Sequence, residues 1–179
     1  MGYHCTAGTT TTVSAHVYLA LNYVARGGSD FLKKKYLAPG IEGTKVGALA
    51  MSEPFAGSDL KAMRTVGRRE GDHYIINGSK TFITNGYYGD FFVTAVKTET
   101  GLSMIVIDAD AEGVSKSKLD KLGLKSSDTA EIAFADVKVP VENIIGEEGK
   151  GFYYMMDSLQ VERLSTAQFN VGGMQAILD

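Results

Sequence analysis

The chain has 179 residues, 44% of them hydrophobic, with a net charge of -3, one cysteine and no tryptophan. That is enough chain for one or two modest cores, and the charge balance with no basic stripe argues against a nucleic-acid partner. A lone Cys5 closes no internal disulfide, which fits a reducing compartment; no apolar run reaches the length of a membrane span, and no secretory leader pattern opens the chain.

In chain order, Thr9 to Thr12 read as an N-cap region before an apolar-rich helix over residues 13–25, which Gly27-Gly28 end. Ser29 is placed to cap a second short helix to about Leu37, closed by Pro39-Gly40. Lys33-Lys34-Lys35 reads as a solvated helix face. His4 and His16 stand outside any metal-ligand spacing and read as structural or surface residues. From residue 46 to about 145 the pattern changes to short strands, expected at 46–51, 63–69, 73–76, 81–83, 91–97, 103–107 and 131–137, with glycine and aspartate turns between them. Asn77-Gly78 carries a hairpin-turn signal, and Ile132 and Phe134 alternate with Glu131 and Ala133 as in a half-buried antiparallel strand. Many short strands without strand–helix alternation or a GxGxxG motif predict an α+β chain. Its centre is an antiparallel β-barrel or sandwich flanked by helical segments, not a dinucleotide-binding α/β fold. Gly146-Glu-Glu-Gly-Lys-Gly151 then leads into a long helix in which Phe152, Met155, Met156, Leu159, Glu162, Arg163 and Thr166 share one broad face. A carboxylate on an apolar stripe is costly unless it is paired or used. Gly172-Gly173 would weaken a helix interior and suggest a close helix–helix contact.

Two blocks carry the chemistry. In Ala48-Leu-Ala-Met-Ser-Glu-Pro-Phe-Ala-Gly-Ser-Asp-Leu60 a strand stops at Ser52-Glu53-Pro54 and opens into a small-residue loop whose Gly57 lets backbone approach a ligand. Ser52 and Ser58 bracket that loop with hydroxyls. The second block is Ile76-Asn-Gly-Ser-Lys-Thr-Phe-Ile-Thr-Asn-Gly86, where Phe82 and Thr84 fall on one strand face.

With Leu122-Gly-Leu-Lys-Ser-Ser-Asp-Thr129 and Phe134-Ala-Asp-Val-Lys-Val-Pro140 following in order, the chain resembles the acyl-CoA dehydrogenase family from about residue 10 onward. The resemblance implies residues 1–45 as the end of an N-terminal helical domain, 46–145 as the middle β-domain and 146–179 as the start of a C-terminal helical domain. It implies FAD as cofactor, and oxidation of an acyl-CoA thioester to a trans-2-enoyl-CoA with electrons passed to an electron-transfer flavoprotein. The setting would be fatty-acid or branched-chain amino-acid catabolism, in the bacterial cytoplasm or the mitochondrial matrix. Leu49, Met51, Ser52, Gly57 and Ser58 match the first flavin-contacting segment, and Phe82, Ile83 and Thr84 the second, with Phe82 where many relatives carry tryptophan. Ser58 also matches a substrate contact, and Arg163 a position near substrate or the neighbouring subunit's FAD. Glu53 is expected to be structural. The base is either Glu162, which matches a glutamate–arginine placement found in isovaleryl- and long-chain-type dehydrogenases, or a residue from a later C-terminal loop. Complete members are longer and assemble as tetramers or dimers, so this chain is expected to hold FAD weakly or not at all by itself. A non-catalytic β-domain serving as a binding module is the competing reading, and oxidase chemistry on the same scaffold a third.

Overall fold

The computed structural model describes residues 6–179; His4 and Cys5 lie outside them. A continuous helical arm is built from α1 (Ala7–Ser14), a π-helical stretch Ala15–Leu21 and α2 (Asn22–Gly27). Its cap is Thr6, whose hydroxyl accepts from Thr9 N, so the threonine run expected to precede the helix lies inside it. Thr11 tolerates the interior because its hydroxyl turns back onto Ala7 O at 2.8 Å. Gly28 ends the arm, its N–H bonded to Val24 O at 2.9 Å. Ser29 caps the next arm, accepting from Leu32 N at 3.3 Å. That arm runs as α3 (Asp30–Leu32), a π-helical stretch Lys33–Leu37 and α4 (Ala38–Ile41). Pro39-Gly40 therefore does not close it. Pro39 sits at the first turn of α4, where its missing donor is tolerated, and Gly43 at φ 76 makes the exit. Lys35 leaves the expected solvated face to pair with Asp108 at 2.9 Å.

Seven strands follow: β1 (Gly47–Ala50), β2 (Val66–Glu70), β3 (His73–Thr84), β4 (Phe91–Thr98), β5 (Gly101–Asp108), β6 (Val114–Lys118) and β7 (Thr129–Pro140). They form one mixed half-barrel sheet in the order β1-β4-β2-β3-β7-β6, with β5 also on β4. Most pairs are antiparallel as expected, but β1 and β2 meet β4 in parallel. The segments expected at 73–76 and 81–83 are one strand. Asn77-Gly78 is a bulge within it, not a turn: the register with β7 shifts between Ile76 and Gly78, and Asn77 Oδ1 accepts from Asp136 N at 3.0 Å. The hairpin between β2 and β3 turns instead at Gly71-Asp72, with Gly71 at φ 63. β6, Val-Ser-Lys-Ser-Lys, is a polar edge strand with no expectation to match; lysines are characteristic of such edges.

β4 is buried on both faces and divides the core. Phe91, Val93 and Ala95 pack with Tyr23, Val24, Leu32 and Tyr36 of the helical arms and with Met155. Phe92 and Val96 pack with Tyr74, Ile83, Ile105, Ile107 and Ile132. His16 ties the halves together: Gly47 N donates to its Nδ1 at 2.9 Å, which leaves Nε2–H to donate to Gly40 O at 3.0 Å. The long helix α5 (Gly151–Leu178) buries Gly151, Met155, Ser158 and Ser165. Its inward stripe is narrower than the broad face expected, since Phe152, Met156, Arg163 and Thr166 are exposed.

Candidate active site

β1 delivers the chain to a sharp reversal. Glu53 N donates to Ala56 O at 2.8 Å and Ala56 N to Glu53 O at 3.1 Å, leaving Pro54 and Phe55 at the tip. Phe55 is exposed beneath the Arg64 guanidinium, 4.6 Å from its ring centre. The Glu53 carboxylate points inward and accepts from Arg64 N at 2.6 Å, Thr65 N at 3.1 Å and Lys80 Nζ at 2.8 Å. Lys80 is 0% exposed, and its ammonium also donates to Met51 O at 3.2 Å. Beside it, Ser52 O accepts from Thr81 N at 2.9 Å. The loop at 51–58 is thus clamped onto the middle of β3 by an ion pair and a backbone bond.

Burial works against both charges of the pair, with different outcomes. For Glu53 it is outweighed by Lys80, Thr65 and Arg64 as donors, and the carboxyl stays below the ordinary glutamate value. Among the described residues Lys80 has Glu53 as its single charged partner, so burial wins and pushes its pKa down to about 8. Glu53 is structural, as expected. Lys80 is not evident from the sequence, where its one signal is a charged residue at an inward position of β3.

Around this clamp the ligand-facing candidates divide. Gly57 and Ser58 lie exposed, and a side chain at Gly57 would meet nothing within 4 Å. The hydroxyls of Ser52, Ser58 and Thr84 make no hydrogen bond among the described residues. Phe82 is 72% exposed and held at φ 59, a conformation costly for an aromatic residue. Ile83 is core, 2% exposed, and its carbonyl accepts from Gly86 N at 3.1 Å, so its side chain does not face a ligand. Leu49 and Met51 are half-buried against the helix-side core. An exposed aromatic, unpaired hydroxyls and an open loop with free amides suit a flat heterocycle with polar edges and a phosphate tail, so these residues fit a flavin.

Glu162 reaches this region from α5. Tyr23 of α2, 2% exposed, donates its hydroxyl to Glu162 Oε1 at 3.3 Å, and the same hydroxyl lies 3.9 Å from Met51 Sδ. Burial raises the Glu162 pKa, with the Tyr23 hydrogen bond drawing it partly back. Burial, and then the Glu162 charge, push the Tyr23 phenol well above its ordinary value. A cavity of 220 Å³ lies alongside, bounded by Tyr23, Tyr154, Ser158 and the ion pair Arg26–Asp157. The structure therefore brings Glu162 and Met51 to one phenol, itself bonded to the base candidate. Arg163 is exposed and stands apart from that contact. Tyr23 is another residue that sequence reasoning missed, being one aromatic in an apolar-rich helix.

A half-barrel carrying an open loop suited to a flavin, with a half-buried carboxylate on the following helix, is an arrangement compatible with a flavin-dependent dehydrogenase. The sequence profile of the acyl-CoA dehydrogenase middle domain matches residues 48–137. Mitochondrial isovaleryl-CoA dehydrogenase of Pongo abelii is 44% identical over 173 residues, covering 92% of this chain and 41% of that protein. The short-chain-specific acyl-CoA dehydrogenase of Clostridium acetobutylicum is 44% identical over 172 residues, covering 92% and 45%. The solved structure of butyryl-CoA dehydrogenase from Megasphaera elsdenii superposes with a TM-score of 0.91 at 38% identity, covering 95% of this chain and 46% of that one. The chain belongs to the acyl-CoA dehydrogenase family, whose members are flavoproteins, and it spans less than half the length of these relatives.

Proposed function

We propose that this chain contributes the flavin loop and the base to an FAD-dependent acyl-CoA dehydrogenase. Residues 1–45, 46–145 and 146–179 would serve as the end of the N-terminal helical domain, the middle β-domain and the start of the C-terminal domain. The observation that carries the reading is the single phenol shared by Glu162 and Met51, which joins a half-buried carboxylate to the loop at 51–58.

Ser52, with its free hydroxyl, would bind the polar edge of the ring, Thr84 would hydrogen-bond its centre, Phe82 would flank it, and Gly57 and Ser58 would take the phosphate tail. FAD bound there supplies the two-electron acceptor that no side chain provides. Glu162 takes the proton α to the thioester carbonyl; burial suits it by raising its basicity toward the working pH. Ser58 and Arg163 would hold the CoA part of the substrate. Electrons would leave to an electron-transfer flavoprotein, from a homo-oligomer in the bacterial cytoplasm or the mitochondrial matrix. Among the described residues, no helix is long and apolar enough to cross a membrane.

The test is a fluorescence titration of FAD against the chain, with Ser52→Ala and Thr84→Ala in parallel. Weak but saturable binding that weakens further in both variants is expected. Saturable binding indifferent to both substitutions would overturn the placement of the flavin, and no saturation would favour the reading of a β-domain that does not hold the cofactor alone.

A further inference from the structure

We infer that Tyr23 is a positioning residue for Glu162, pinning one carboxylate oxygen so that the other faces the substrate's α-hydrogen. The inference deepens the proposed dehydrogenase reading and rests on Glu162 being its base. Tyr23 Oη donates to Oε1 at 3.3 Å, while Oε2 has no hydrogen-bond partner among the described residues. One oxygen is therefore fixed and the other left free as acceptor. The ring that carries the hydroxyl is locked in the helix-side core with Val24, Leu32, Met104 and Met155, so the donor cannot drift. The same hydroxyl lies 3.9 Å from Met51 Sδ, which places the carboxylate beside the loop that would hold the flavin. A carboxylate held this way needs no reorganisation when the α-proton arrives.

The contact has an electrostatic consequence. A phenol donates a stronger hydrogen bond to a carboxylate than to a carboxylic acid, so Tyr23 favours the ionised form. Burial alone would drive Glu162 toward its neutral form, in which it cannot act as a base, and Tyr23 opposes that. The other charges nearby are engaged elsewhere or turned away. Arg26, on the same helix as Tyr23, pairs with Asp157. Arg163 is exposed. Asn22 donates to Ser158 Oγ at 3.4 Å, and Met51 from the β1 loop carries no charge.

The chain carrying ¹³C-labelled glutamate carboxyls and ¹³Cζ-labelled tyrosine is titrated by NMR, with Glu162→Gln and Tyr23→Phe assigning the two signals. The Tyr23 Cζ resonance is expected to move with the midpoint of Glu162, and Tyr23→Phe to shift that midpoint upward. A Tyr23 signal flat through the Glu162 titration overturns the inference, and that observation needs only the unaltered chain should Tyr23→Phe fail to fold. An unmoved midpoint in a folded Tyr23→Phe protein does the same. The base itself is tested separately by exchange of the α-hydrogens of an acyl-CoA with deuterated solvent in the FAD-loaded protein. Glu162→Gln should slow exchange by about a hundredfold or more, and Tyr23→Phe should move the acid limb of its pH profile upward. Exchange unaffected by Glu162→Gln would end the base reading even if the two resonances titrate together. A hundredfold loss with a flat Tyr23 signal would end the positioning role alone.

Discussion

At the residue scale the costliest feature of the site is a lysine with no exposure to water. Lys80 is tolerated because Glu53 and the Met51 carbonyl accept its protons, and those bonds tie the β1 loop to β3. Replacing Lys80 by methionine would leave the Glu53 charge buried without its partner, so a loss of about 3 kcal/mol or more is expected in urea unfolding. Adding Glu53→Leu to Lys80→Met should recover a large part of that loss. A double variant as unstable as the sum of the singles would show that the pair is not the source. Glu162 carries the opposite sign. Its folded pKa lies above the ordinary value of 4.5, so the native state binds more protons than the unfolded chain between those two points, and stability falls as pH rises through that window. Glu162→Gln is therefore expected to raise the thermal midpoint near neutral pH, with the advantage vanishing below pH 4.5. An equal gain at both pH values would mean that the effect is packing and not charge. The sequence reading identified Glu53 as structural and Glu162 as the uncomfortable charge, because each is legible from its immediate neighbours. Lys80 and Tyr23 were not, because each acquires its meaning from a partner supplied by another element.

At the element scale the sequence shows where the backbone must bend but not what the bend accomplishes. Asn77-Gly78 reads as a hairpin turn, and Gly78 does sit at φ 148, where glycine is favoured. A turn and a bulge make the same local demand, and only the pairing of β3 with β7 on both sides of it decides for the bulge. Gly78 is also where Thr65 crosses closest: an added Cβ would lie 2.6 Å from Thr65 Cα and 2.8 Å from its Cβ. Gly78→Ala should therefore cost about 1–3 kcal/mol by thermal unfolding, with β2 displaced from β3. A variant as stable as the parent would show that β2 shifts freely there. β4 was recognised because burial on both faces leaves a continuous apolar run, whereas β6 was missed because an exposed edge strand of serines and lysines has the composition of a loop. Pro39-Gly40 misled for a related reason. The signal for stopping a helix is real, but a change from π-helical to α-helical winding creates a new first turn that accepts proline.

At the scale of the whole molecule, the order of motifs made the family legible, and the long-range contacts complete the picture. Tyr23 and Glu162 are 139 residues apart, a separation no local pattern encodes. Their contact closes the helical arm and α5 over one side of the half-barrel, and it makes stability uneven along α5. The first turns are anchored: an added Cβ at Gly151 would strike Leu102 O at 2.8 Å, and Met155 and Ser158 are buried. Beyond Ser165 no described residue of α5 is buried, Val171, Met174, Ile177 and Leu178 are exposed, and the Gly172-Gly173 pair weakens the helix by about 1 kcal/mol per glycine. Local opening free energy should follow this gradient. Hydrogen exchange read by mass spectrometry should find the amides of β4 and β5 slowest, those around Glu162 intermediate, and those from Val171 onward fastest. Equal protection along the whole of α5 would mean that its distal turns are held by something other than the packing seen here. The gradient bears on the proposed base because Glu162 lies on the anchored side of it, one turn before Ser165. The carboxylate is thereby held against Tyr23 of the helical arm and does not depend on the distal turns for its position.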